Sequence, residues 1–71
     1  MEDLKIIFAQ NLIALRKQMK LTQIELAEKI NYSDKAVSKW ERGESIPDVS
    51  VLMVIANLFG VSIDFLVTKH E

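Results

Sequence analysis

The sequence predicts an all-α protein, folded as a compact bundle of five helices. Apolar residues recur at intervals of three and four rather than alternating, which is the period of an amphipathic helix. The 71 residues contain only two glycines and one proline, and both glycines follow a predicted helix. The length fits a single domain, 1–71, and the absence of cysteine excludes a disulfide framework.

Helix one is predicted from about Asp3 to Met19, because apolar residues follow one face of this stretch. These residues are Leu4, Ile7, Phe8, Leu12, Leu15 and Met19. Thr22 and Glu25 then have the spacing of a capping box, in which each side chain accepts a hydrogen bond from the other residue's backbone N–H. Helix two follows, and its inward residues are Leu26, Ala27 and Ile30.

Short polar residues mark the remaining boundaries. Asn31 ends helix two, since asparagine tolerates the left-handed backbone of a tight helix exit. Ser33 is the expected N-cap of helix three, which runs to Arg42 and stops at Gly43. The last two helices occupy 48–67, and the residues expected to cap or terminate them are Asp48, Gly60 and Ser62.

Helix three has an apolar side and a fully polar side. Val37 and Trp40 share the inward side, with Ala36 next to them. The outward side carries Asp34, Lys35, Ser38, Lys39 and Arg42. Such donors and cations suit a helix in the DNA major groove, although the solvated face of an ordinary amphipathic helix has the same pattern. The short turn before helix three favours DNA, because residues 22–43 then form a helix-turn-helix.

The net charge of −1 argues against binding of polyanions by bulk charge alone. The charge is nevertheless polarised. Seven basic and four acidic residues between Arg16 and Arg42 give this segment +3, while the rest of the chain carries −4. This distribution places positive charge on the helix-turn-helix, with ordinary surface scatter as the alternative explanation.

The stretches LTQIELAEKI (21–30) and SDKAVSKWERG (33–43) resemble the Cro/repressor-type helix-turn-helix of the XRE family. The likeness extends over roughly 12–66, which is most of the chain. It implies a lambda-repressor-like fold and a regulator of transcription, usually a repressor, that binds double-stranded DNA in a sequence-specific manner. Helix three would lie in the major groove.

The resemblance also implies residue roles. The positions that face base edges are Asp34, Lys35, Ser38 and Lys39. The positions that contact phosphate are Gln23, Arg42 and Gly43, the last with the loop to Ile46, and Lys20 is a further candidate. Arg16 and Glu41 match a pair that ties helix one to the end of helix three, with a phosphate contact by Arg16 as the alternative, and Trp40 is expected in the core.

Two positions depart from the family pattern. Asn31 stands where glycine is common, and Asp34 stands where glutamine, arginine or serine is more usual. The carboxylate of Asp34 could accept a hydrogen bond from a cytosine amino group, or it could simply favour the positive end of the helix dipole.

Helix four carries more apolar residues than one inward stripe needs. Beside the stripe of Leu52, Ile55, Ala56 and Phe59 runs a second stripe, extended by helix five. The residues of this second stripe are Val51, Val54, Leu58, Ile63 and Val67. Because monomers rarely expose contiguous apolar patches, this stripe predicts a homodimer interface, with one broad buried face as the alternative. A dimer would bind a palindromic operator with half-sites about 34 Å apart.

The sequence offers no cluster of residues that would predict an enzyme. The only histidine, His70, lies in a C-terminal tail expected to fray, so neither a catalytic triad nor a metal site is predicted, and no cofactor is expected. The N-terminus has no secretory pattern, and no run approaches the ~20 apolar residues of a membrane span, which indicates a cytoplasmic protein. The competing function is a protein-interaction module, antitoxin-like, whose helices four and five bind a partner.

Overall fold

The computed structural model describes residues 3–70, and the elements assigned in this range are five helices. The ends of the predicted domain, Met1 and Glu71, lie outside the described residues. The helices are α1 (Leu4–Gln18), α2 (Gln23–Lys29), α3 (Asp34–Glu41), α4 (Val49–Phe59) and α5 (Ile63–Leu66). The predicted five-helix, all-α architecture is confirmed.

Each helix begins at a short polar side chain that accepts a hydrogen bond from a backbone N–H of the first turn. These N-caps are Asp3, Thr22, Ser33, Asp48 and Ser62. The predicted capping box is complete: Thr22 N donates to Glu25 Oε1 at 2.8 Å, and Glu25 N donates to Thr22 Oγ1 at 3.0 Å. The bond from the Thr22 N–H lowers the pKa of the Glu25 carboxyl.

The first four helices end in the same way, with a left-handed residue at the C-cap of α4 and directly after the C-cap of α1, α2 and α3. These residues are Lys20, Asn31, Gly43 and Gly60, with φ of 58, 57, 74 and 68°. In each case the N–H of the following residue donates back to a carbonyl five residues earlier, for example Glu44 N to Lys39 O at 3.0 Å. The prediction for Asn31 is confirmed, whereas the left-handed backbone of Lys20 was not expected.

The core is formed by buried residues of all five helices. Its fully buried side chains are Phe8, Leu12, Leu26, Val37, Ile55 and Leu66. The predicted inward residues of α2, namely Leu26, Ala27 and Ile30, are all buried. Of the α1 stripe, Leu4 and Met19 are 47% and 46% exposed, because they stand at the two ends of the helix beyond its packing partners.

The second apolar stripe is narrower than the sequence indicated. Of its five residues only Val54 is exposed, at 44%. The others are partly buried and pack against the core, namely Val51, Leu58, Ile63 and Val67. The reason is that α5 folds back against both α1 and α4 and so covers this side of the bundle.

Asn11 holds α5 and the segment after it against α1. Its Nδ2 donates to the carbonyls of Phe65, Leu66 and Thr68 at 3.2, 2.8 and 2.9 Å. The His70 ring stacks on Phe65, with ring centroids 3.9 Å apart. The expectation of a frayed tail is therefore wrong as far as His70, because the carbonyls at the end of α5 have a buried partner on α1.

Candidate nucleic-acid interface

The helix-turn-helix is fixed from its inner side by Trp40. The indole is 4% exposed and packs edge-on against Phe8, with ring centroids 6.5 Å apart. Tyr32, in the turn between α2 and α3, lies against the same indole at 5.4 Å. The prediction that Trp40 is a core residue is confirmed, so its ring is not accessible to bases.

A carboxylate at the end of α3 joins three elements. Glu41 receives two hydrogen bonds from Arg16, Nε to Oε2 at 2.6 Å and Nη2 to Oε1 at 3.0 Å. Gln23 Nε2 donates to the same Oε1 at 2.9 Å, and Arg16 Nη1 donates to Leu21 O at 2.8 Å. The side chains of Arg16 and Glu41 are 14% and 5% exposed, and the hydrogen bonds to Glu41 raise the pKa of Arg16.

The predicted Arg16–Glu41 pair is thus present, and Gln23 adds a third hydrogen bond to the same carboxylate. Because Glu41 is nearly buried and its charge is balanced by Arg16, it projects little negative charge toward a polyanion. These bonds tie α1, the start of α2 and the end of α3 together, since all three converge on one carboxylate.

An open surface depression of about 290 Å³ runs between the start of α2 and the outer face of α3. Its lining consists of Gln23, Asp34, Lys35, Ser38, Lys39 and Arg42. The structure thus brings together all four predicted base-contacting residues and two of the predicted phosphate-contacting residues. Lys20 and Gly43 do not line it, and Gly43 faces the start of α1, where an added Cβ would lie 3.6 Å from Ile6 Cγ1.

The depression combines three cations with one carboxylate. Lys35, Lys39 and Arg42 lie on the same face as Asp34, which occupies the first turn of α3 directly after the Ser33 cap. A carboxylate in that position interacts favourably with the helix dipole. The residues on this face can donate hydrogen bonds to base acceptors and offer positive charge to phosphates.

Arg42 is more constrained than the sequence indicated. Its Nε lies 2.6 Å from Glu44 Oε2, and its Nη1 donates to Ser38 Oγ. The bond to Glu44 raises the pKa of Arg42 and lowers that of Glu44. The i, i+4 spacing of Ser38 and Arg42 in the sequence could have predicted the contact between these two side chains. The other contact depends on the turn at Gly43, which returns Glu44 to the end of α3.

Two classes of site find no counterpart here. Between residues 3 and 70 no helix is long and apolar enough to cross a membrane. Over the same range no three His, Cys, Asp or Glu side chains gather in a way that would hold a metal ion.

Comparison with known proteins identifies the family to which this architecture belongs. Residues 12–66 match the family described as Helix-turn-helix, the same span over which the sequence resemblance extends. The chain belongs to the helix-turn-helix family. The family prediction made from the sequence is therefore confirmed.

Curated relatives are regulators of transcription by name. The transcriptional activator BcrR of Enterococcus faecalis is 41% identical over 64 residues, which cover 90% of this chain and 31% of that protein. The immunity repressor of Bacillus phage phi105 is 38% identical over 61 residues, covering 86% and 42%. An uncharacterized HTH-type regulator of Sinorhizobium fredii, y4dJ, is 35% identical over 69 residues, covering 97% and 90%. The chain spans 31%, 51% and 44% of the first three relatives it matches.

Solved structures share the fold. The LexA repressor protein from Eubacterium rectale superposes with a TM-score of 0.92 at 26% identity, covering 99% of this chain and 74% of that one. The hypothetical transcription factor NHTF from Neisseria has a TM-score of 0.87 at 27% identity, covering 94% of this chain and 77% of that one. The predicted lambda-repressor-like fold is confirmed.

An enzyme also contains this helical unit. Hydroxypropylphosphonic acid epoxidase from S. wedmorenis matches with a TM-score of 0.81 at 31% identity, but only 34% of that chain is covered. The match is a helical part of a larger enzyme. Family membership with transcriptional regulators supports the prediction that this chain is not an enzyme.

Proposed function

We propose that the chain binds double-stranded DNA sequence-specifically as a transcriptional regulator, with α3 in the major groove. The observation that carries this proposal is the depression along α3, where six polar side chains from the start of α2 and the outer face of α3 converge. Their shared orientation follows from the burial of Val37 and Trp40 on the opposite side of the same helix. A helix of this diameter fits the width of the major groove.

Within this complex, the outer face of α3 reads the bases. Lys35 and Lys39 reach guanine O6 and N7, Ser38 donates to a base acceptor, and Asp34 faces the same edge. Phosphates are contacted by Gln23, Arg42, Lys20 and the loop from Gly43 to Ile46, in which the N–H of Gly43 itself is bonded to Trp40 O. Gln23 Nε2 uses one hydrogen on Glu41, which leaves the second hydrogen free to donate to a phosphate oxygen.

The functional unit we propose is a homodimer on a palindromic operator. Val54 is exposed on α4, and its neighbours Val49 and Met53 are 64% and 52% exposed, so this helix presents an apolar strip to solvent. Pairing of two copies through this strip would bury it and place two recognition helices about 34 Å apart.

The regulatory outcome that we propose is repression, by occupation of a promoter. The phage immunity repressor among the relatives supports it, while the activator BcrR shows that a related chain is named for the opposite effect. The bacterial and phage sources of the relatives also support a cytoplasmic location, where the chromosome lies.

The test is selection of bound sequences from random duplex DNA with three proteins in parallel: the native chain, Lys39→Ala and Lys29→Ala. Lys29 is the matched control, because it is an exposed lysine that does not line the depression. The native chain and Lys29→Ala should select the same palindrome, and Lys39→Ala should lose preference at one position per half-site. Absence of enrichment at low salt from a folded sample would contradict DNA binding and favour the protein-interaction module.

The dimer is tested separately by sedimentation of Val54→Glu. A charge in the strip should produce a folded monomer, while Gln10→Glu on the exposed side of α1 should sediment as the native chain does. A Val54→Glu variant that remains dimeric would refute pairing through α4.

A further inference from the structure

Arg42 is a proposed phosphate anchor whose guanidinium already holds an anion from its own chain. Glu44 Oε2 lies 2.6 Å from Arg42 Nε, in the charge-assisted geometry that a phosphate oxygen would adopt. The two side chains are 53% and 51% exposed, so the bond is formed at the surface where DNA would arrive. The ion pair therefore lies in the path of the proposed contact.

The position of Glu44 is fixed by the backbone. Gly43 adopts φ of 74°, Gly43 N donates to Trp40 O at 3.1 Å, and Glu44 N donates to Lys39 O at 3.0 Å. These bonds form the helix-ending turn that returns the chain toward α3. The turn that ends α3 therefore also brings the carboxylate of Glu44 close to the last residues of that helix.

Ser38 holds the other end of the guanidinium. Its Oγ accepts a hydrogen bond from Arg42 Nη1, one helical turn earlier on the same face. Both contacts keep the guanidinium along the rim of the depression. A phosphate that binds Arg42 Nε must displace Glu44, whereas the contact with Ser38 can remain.

We propose that Glu44 is an internal competitor for DNA phosphate at Arg42, so that DNA must displace it before Arg42 contributes to binding. This inference rests on the proposed DNA-binding function. Its consequence is a lower affinity for any duplex, and a weaker salt dependence, than the cations of α3 alone would give. Sequence preference is unaffected, because the competition concerns a phosphate contact and not a base contact.

The salt effect follows from counting ions. A lysine or arginine that contacts phosphate contributes about −0.9 to the slope of log affinity against log salt. Displacement of Glu44 leaves an unpaired carboxylate that attracts a cation, which offsets the cation released from the phosphate. Glu44→Gln should therefore make the slope steeper by up to about 0.9, a change of about threefold in the affinity ratio between 50 and 200 mM salt.

The experiment is a double-mutant cycle on a 20-base-pair duplex of mixed sequence, with affinity measured by fluorescence anisotropy from about 50 to 200 mM salt. The proteins are the native chain, Glu44→Gln, Arg42→Ala and the double variant. Asp34→Asn, alone and with Arg42→Ala, is the matched control. Asp34 lines the same depression but precedes Arg42 by eight residues, about 12 Å of helix rise.

Glu44→Gln should tighten binding and steepen the slope in the native background, and most of both gains should vanish when Arg42 is alanine. Asp34→Asn should have the same effect in both backgrounds, whatever the size of that effect, since no hydrogen bond or ion pair joins Asp34 to Arg42. A gain from Glu44→Gln that survives Arg42→Ala in full would overturn the inference and leave Glu44 as a simple repelling charge. If neither the native chain nor Glu44→Gln binds at 50 mM salt, the proposed function fails and the inference fails with it.

Discussion

The link between Arg16 and Glu41 ties α1 to the end of α3, and its removal should destabilise the whole domain. Arg16→Met keeps most of the aliphatic length of the side chain but removes both bonds to Glu41 and the bond to Leu21 O. The carboxylate of Glu41, 5% exposed, would then retain only the bond from Gln23. A buried charge that loses its partner costs about 3 kcal/mol.

That loss is large for a chain of this size. At about 0.05–0.15 kcal/mol per residue, a 71-residue domain has a free energy of unfolding of about 4–11 kcal/mol. A change of about 3 kcal/mol then lowers the melting temperature by roughly 12–24 °C in a domain of this length. Urea and thermal unfolding followed by circular dichroism measure both quantities.

The double variant Arg16→Met/Glu41→Met separates the ion pair from simple loss of contacts. With both charges gone no carboxylate is stranded, so we expect the double variant to recover about 1 kcal/mol or more relative to Arg16→Met. Arg42→Met, the same substitution in the exposed ion pair, should leave the unfolding midpoint near that of the native chain. The reasoning is refuted if Arg16→Met unfolds at the native midpoint, or if the double variant is less stable than the single one.

Further expected outcomes concern other parts of the fold. Asn11→Ala removes the donor shared by three carbonyls and should lower the free energy of unfolding in urea by about 2 kcal/mol. Hydrogen exchange should become faster only in α5 and the tail. An equal increase in exchange throughout the chain would contradict a role of Asn11 in holding α5 against α1. Gly60→Ala should cost about 1 kcal/mol from backbone strain alone, because its φ is 68° and nothing lies within 4 Å of an added Cβ; a neutral result would be inconsistent with the left-handed turn. The lowered pKa of Glu25 gives stability above the ordinary carboxyl value of 4.5, lost as the pH falls through the folded-state pKa. Glu25→Gln keeps an acceptor for the Thr22 N–H, and its melting temperature should fall less steeply than that of the native chain as the pH is lowered. An unchanged pH dependence of the melting temperature would exclude a contribution of Glu25 to acid unfolding.

The local features of the fold were predictable because they depend on a few neighbouring residues. Thr22, Ser33, Asp48 and Ser62 each cap a helix within three residues of the N–H that they accept, and Asn31 adopts the left-handed backbone at its predicted place. The outer face of α3 followed from the burial of Val37 and Trp40 three residues apart. Helical periodicity alone was therefore enough to predict which residues of α3 share the face of the candidate site.

The features that sequence reasoning missed depend on contacts between distant parts of the chain. Asn11 donates to carbonyls more than 50 residues away in the chain. No local pattern shows that an asparagine on an apolar stripe will bond the end of another helix. The sequence left open whether the second stripe of α4 forms a dimer interface or one broad buried face, because the contacts of α5 with α1 and α4 were not visible in the pattern. The Arg42–Glu44 pair crosses the end of a helix, so helix-face spacing did not predict it.

The central claim is that the outer face of α3 contacts DNA in the major groove. Titration of ¹⁵N-labelled native chain with its selected duplex, followed by amide chemical shifts, tests this claim most directly. The largest shifts should fall on residues 34–42 and at the start of α2, with the duplex protected from major-groove purine methylation at the same half-sites. Large shifts restricted to α4 and α5, with α3 unchanged, would contradict it.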